Sequence, residues 1–140
     1  MKLGLVLEGG ASRTYFSAGV MDALLKENIF CNYVIGVSAG IANACAYCSN
    51  QPGRTLTIGQ KYIHDKRYMG KRYLLNRKNK SYFNLKFVFD DIPNELVPFD
   101  YKAFKEFNGN CIAGVTNIET GDEEYIEVSR FDRQWQILRA

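Results

Sequence analysis

Gly36-Val37-Ser38-Ala39-Gly40 is the stretch on which the reading of this chain turns. An apolar run, Tyr33-Val34-Ile35, precedes it, and a run of small residues, Ile41-Ala42-Asn43-Ala44-Cys45-Ala46, follows it. The pattern predicts a strand, a tight turn with a serine at its apex, and a helix, which is the setting of a nucleophile elbow. Such a turn crowds its neighbours. Gly36 and Gly40 are therefore read as the elbow glycines, relieving the crowding or supplying backbone angles closed to other residues. Ser38 is lifted clear of the sheet edge, where the amides and dipole of the next helix favour negative charge developing beside its oxygen.

Upstream, Leu3-Gly4-Leu5-Val6-Leu7 reads as a strand apolar enough to be buried on both faces of a parallel sheet. Glu8 to Ser12 is the turn after it, and a helix is expected from about Arg13 to Glu27 with Ser12 as its N-cap. Phe16, Val20, Ala23 and Leu24 fall at helical spacing, and Asn28 suits a helix stop. Strand, helix, strand makes one βαβ unit with parallel strands, so the glycine-rich turn and Ser38 open on the same sheet edge.

Downstream, the helix after Ser38 is expected to reach about Cys48, and Ser49-Asn50-Gln51-Pro52-Gly53 breaks it. Another helix is expected from Arg54 to about Asp65, then a basic, aromatic stretch to Lys80. Tyr82 to Phe89 reads as a short helix or strand, and Asp90 to Pro98 as turn-rich. Asp100 is a cap for a two-turn helix through Phe107. Cys111 to Val115 reads as a buried strand, with Glu124 to Val128 as its exposed antiparallel partner. A last helix begins near Gln134.

The 140 residues suggest one domain, with 46% hydrophobic and 24% charged residues as in ordinary globular proteins. No run is long enough to span a membrane. Cys31, Cys45, Cys48 and Cys111 lack the density of a disulfide scaffold; Cys45 and Cys48, three apart on an expected helix, read as small buried thiols, and a reducing, cytoplasmic setting is expected. No metal site is expected. The net charge of +3 hides an asymmetry: residues 54–86 hold ten Lys and Arg against Asp65, a balance of +9, and the rest carries −6. That segment is expected to be lid-like. It suits peripheral contact with an anionic membrane, or equally a solvated face; nucleic acid is not expected as a partner.

Gly9-Gly10-Ala11-Ser12-Arg13 offers bare amides at a helix start, for a phosphate or for an oxyanion. G-x-G-x-x-G is not met, no acid ends the second strand, and the P-loop lysine is absent, so nucleotide folds are disfavoured. With Ser38 on the same edge, an oxyanion hole built from Gly9, Gly10, Ala11, Ser12, Arg13 and Ala39 is the better reading. His64, the sole histidine, sits close after Ser38 and reads as a surface residue, so a Ser-His-Asp triad is not expected. Asp65, Asp90, Asp91 and Asp122 read as caps, turn residues or solvated groups.

Leu7-Glu8-Gly9-Gly10-Ala11-Ser12-Arg13 followed by Gly36-Val37-Ser38-Ala39-Gly40 resembles the start of the patatin-like phospholipase family. Asp65-Lys66-Arg67-Tyr68, Phe89-Asp90-Asp91-Ile92-Pro93-Asn94 and Ala113-Gly114-Val115-Thr116-Asn117-Ile118-Glu119-Thr120-Gly121 resemble its bacterial branch. The resemblance implies a three-layer α/β/α fold with a mainly parallel central sheet, of which this chain is the N-terminal portion. It implies a lipid acyl hydrolase acting on phospholipid or another lipid ester through a Ser–Asp dyad, without cofactor. Two glycines usual in the family's first motif are Ala11 and Thr14 here. The family's aspartate lies in a D-G-G or D-G-A motif that this chain lacks, so the chain alone is expected to be inactive. Two alternatives are a lipid-binding module and a non-catalytic remnant, the latter prone to self-association through an exposed sheet edge.

Overall fold

A computed structural model describes residues 3–77 and 79–139; Lys78 of the basic segment lies outside the described residues. The strands are β1 (Gly4–Leu7), β2 (Tyr33–Val37), β3 (Asn110–Thr116) and β4 (Glu123–Glu127). The α-helices are α1 (Thr14–Lys26), α2 (Ala39–Cys48), α3 (Arg54–Tyr62), α4 (Lys71–Leu74), α5 (Tyr101–Glu106) and α6 (Gln136–Arg139). A 3₁₀ turn covers Ala11–Arg13 and a π-helix covers Phe87–Leu96.

The strands form one sheet in the order β1-β2-β3-β4, the first three parallel and β4 antiparallel to β3. This is the mainly parallel α/β fold expected. Leu7 lies beside Gly36, and Gly36 beside Ala113, so β1 and β2 deliver their following turns to one edge. Leu7, Val34, Cys111 and Ala113 share a core with Ala18, Met21 and Leu25 of α1 and Ile41, Ala44, Cys45 and Cys48 of α2. Of the three expected layers, the described residues supply the sheet and the helices on that face. Val6, Tyr33 and Val37, which alternate with buried residues, are exposed, so β1 is not buried on both faces as its sequence predicts: among the described residues nothing covers the Val6 side.

The α1 boundaries match expectation, but its buried stripe does not. Thr14, Ala18, Met21 and Leu25 face inward, while Phe16 is 80% exposed and Val20 is exposed too. A hydrophobic stripe overlooks positions where helices approach closely, because these favour small residues such as Ala18. Ser12 is not the N-cap. It sits within the 3₁₀ turn and makes no capping hydrogen bond; Thr14 Oγ1 instead donates to Ala11 O at 2.7 Å. Asn28 stops the helix in the left-handed region, φ 56°. Asp100 caps α5, accepting from Ala103 N at 2.8 Å.

Residues 90–98, expected as turns, belong largely to the π-helix. Pro93 sits within this element; the wide spacing is seen in Val97 N donating to Ile92 O at 2.8 Å. Phe99, Phe104 and Trp135 pack beyond it, with Phe99 and Trp135 ring centroids 4.8 Å apart at 84°. In the basic segment, Asn79 organises the loop: Nδ2 donates to Ser81 O and Phe83 O, and Oδ1 accepts from Leu85 N.

All four cysteines are free and buried, as expected for Cys45 and Cys48. Hydrogen bonding with Cys111, and then burial, push the Cys45 and Cys48 thiols upward. Tyr47 ties α2 to the link before β2: its hydroxyl donates to Ile29 O and accepts from Cys31 N, each at 2.8 Å. Burial pushes this phenol up to about 12 from 10.0. A raised folded-state value means its contribution is full below pH 10 and is lost as pH rises toward 12. Tyr47→Phe should cost about 1–3 kcal/mol at neutral pH. Urea titrations across the alkaline range should show a shallower loss of stability in this variant than in wild type.

Candidate active site

Ser38 sits between β2 and α2 with φ 54° and ψ −125°, a conformation that costs a non-glycine residue about 1–3 kcal/mol. The strained residue is thus the serine itself. Gly36 and Gly40 are required by close approach. A Cβ on Gly36 would lie 2.5 Å from Ile41 Cα, and one on Gly40 would lie 2.3 Å from Leu7 O and 2.6 Å from Glu8 O. The start of α2 is therefore pressed onto the end of β1. That contact brings the glycine-rich turn to the elbow: a Cβ on Gly9 would lie 3.1 Å from Ser38 Cβ and 3.8 Å from its Oγ.

Ser38, Ala11, Ser12 and Arg13 are exposed, and Gly9, Gly10 and Ala39 are half-buried. Among the described residues, the amides of Gly10, Ala11 and Ala39 have no acceptor, and Ser38 Oγ has no hydrogen-bond partner. Arg13 folds back over Gly10, its Nε 3.3 Å from where a Cβ would stand. Ala11 has φ 47°, a left-handed angle that glycine adopts more easily.

A buried polar chain, which sequence reasoning missed, locks loop and elbow together. Thr55 Oγ1 donates to Asn43 Oδ1 at 2.7 Å, and Asn43 Nδ2 donates to Thr14 O at 3.2 Å. Thr14 in turn bonds Ala11 O. Asn43 is 1% exposed. Its signal in the sequence was an amide alone among Ala, Cys and Ile on a helix otherwise built for close packing.

These two juxtaposed turns sit in a chain whose residues 5–137 match the family model of patatin-like phospholipases. The chain belongs to the patatin-like phospholipase family. The uncharacterized protein YjjU of Escherichia coli (strain K12) is 40% identical over 63 residues, which are 44% of this chain and 17% of that protein. The match therefore spans less than a fifth of that relative's length. No solved structure matches the chain.

In this patatin-like chain a cavity of about 300 Å³ opens beside the elbow. Ala11, Ser12 and Ala39 line one part, and Ala42, Cys45 and Ala46 continue the wall along α2. At 1.5 Å per residue, that wall runs about 10 Å from Ala39 to Ala46. Tyr15, Ile58, Phe89, Phe99 and Trp135 complete a mostly apolar lining. Arg54, expected within the exposed basic segment, is instead buried and lines this cavity.

The alternative bases are engaged or exposed. His64 is exposed just past α3. Asp65 pairs with Arg67 at 2.8 Å, which holds its carboxyl below the usual range. Asp90 and Asp91 flank Lys86, and Asp122 is exposed.

The packing separates two uses of glycine. Gly40→Ala, which forces a methyl against the β1 carbonyls, should destabilise the fold by about 3 kcal/mol or more. Gly53→Ala, at φ 73° with nothing within 4 Å of its Cβ position, should cost only about 1–2 kcal/mol. Urea denaturation of the two variants checks the ordering.

Proposed function

We propose that the chain carries the nucleophile half of a serine lipid acyl hydrolase. The observation behind this is the strained Ser38 at the β2–α2 junction, set against Gly9 by the tight seating of Gly40. Ser38 Oγ attacks the carbonyl carbon of a lipid ester, and its proton passes to an aspartate supplied from outside these residues. The amides of Gly10, Ala11 and Ala39 hold the oxyanion, aided by the dipole of α2. Gly36 and Gly40 keep the elbow in shape, and Ser12 and Arg13 support the loop. The alcohol leaves with a proton, and water then releases the acyl group from Ser38 as a carboxylic acid. The apolar cavity beside Ala39 suits the acyl chain. Membership of the phospholipase family supports the reaction class.

By this reading the 140-residue chain should hydrolyse a p-nitrophenyl ester no faster than its Ser38→Ala variant. Extension of the chain to include a D-G-G or D-G-A motif should raise the rate by orders of magnitude, in a manner lost on Ser38→Ala. Turnover by the short chain well above its Ser38→Ala variant would place the base inside it.

A second reading concerns approach to substrate. Leu74 and Leu75, the latter 87% exposed, follow Lys71 and Arg72 at α4, and Tyr82 and Phe83 are exposed nearby in sequence. Cations beside protruding apolar groups suit an anionic lipid surface. Among the described residues no helix is long and apolar enough to cross a membrane, so such contact would be peripheral. The chain should sediment with phosphatidylglycerol vesicles at low salt, and Leu75→Asp should weaken this several-fold. Equal binding to neutral phosphatidylcholine vesicles would contradict it.

A further inference from the structure

Among the described residues, Arg54 is the one charged side chain lining the cavity. It opens α3 and is 9% exposed. Nη1 donates to Pro98 O at 2.8 Å, and the guanidinium lies 5.2 Å from the Phe99 ring centroid. No carboxylate pairs with it among the described residues. Its other N–H groups have no acceptor there, yet no fully enclosed side-chain polar atom is left without a partner. Those N–H groups are therefore not fully enclosed, and Arg54 is a lining residue of the cavity.

A buried cation held by one neutral carbonyl is incompletely compensated. Burial draws the guanidinium down to about 10, which still leaves it charged at neutral pH. The ligand that answers both features has an aliphatic body for the apolar wall and a single planar anion for the fork of N–H groups. A phosphate dianion calls for further cations, and the described residues of the lining offer none. A neutral lipid leaves the charge as it stands.

We propose that this cavity is a fatty-acid site in which Arg54 binds the carboxylate. The tail lies along α2 toward Ala39. A released acid held this way fills the volume that the next acyl chain needs, so the product would compete with substrate. That consequence rests on the hydrolase reading; the binding itself does not.

The test uses the chain in its Ser38→Ala form, so that binding is read without turnover. Laurate and dodecanol, matched in tail and different in charge, are titrated calorimetrically below the concentrations at which they aggregate. Laurate is expected to bind at least about ten-fold more tightly than dodecanol. Arg54→Met should erase that difference by weakening laurate alone, and Arg54→Lys should restore part of it. Equal affinity for the two ligands, or an unchanged laurate affinity in Arg54→Met, would overturn the proposal. Should Arg54→Met fail to fold, carboxyl-labelled laurate read by carbon NMR on the Arg54-containing chain decides the matter. Its carboxyl group should titrate lower when bound than when free, and an unmoved titration would overturn the assignment. If the chain extended to a D-G-G or D-G-A motif shows no Ser38-dependent esterase activity while laurate binds in this manner, the hydrolase reading fails and the site stands.

Discussion

The seating of α2 against the end of β1 is the contact on which this structure depends. Residue 40 can have no Cβ, because Leu7 O and Glu8 O occupy its place. The same approach fixes the direction of α2, forces Ser38 into its strained angles, and sets Gly9 against the serine. Local strain at Ser38 is held by packing on both sides: Gly36 beneath Ile41, and the small residues of α2 against the sheet. The Asn43 chain extends this hold to α3, so the turn after β1 and the elbow after β2 behave as one piece of structure.

Much of this was legible from residue type and order. Apolar runs followed by glycine-rich turns announce parallel strands, and the short acidic alternation from residue 124 announces an exposed antiparallel edge, although Val128, expected within it, lies past β4 and is buried. Gly36, Ser38 and Gly40 could be read because a sharp turn leaves few residues any choice. Asp100 could be read because its capping oxygen acts within four residues. These signals are local, and the structure keeps them.

What stayed illegible depends on distant partners. The inward face of α1 is set by where α2 lies, so Ala18 and Met21 are buried while Phe16 is not. Residues 90–98 read as turns unless the wide helix around Pro93 is known. Arg54 reads as one more cation in a basic segment. Only the fold shows it turned inward, onto Pro98 and Phe99. Charge counted along a chain does not tell which charges face water.

The central claim is that Ser38 is the nucleophile, and covalent trapping tests it most directly. The longest polypeptide of the reading frame that contains this chain would be incubated with a fluorophosphonate lipid analogue, digested, and mapped by mass spectrometry. A single adduct on the peptide bearing Ser38 is the result the account predicts. An adduct confined to another residue, such as Ser12 or Ser49, or none at all, would contradict it.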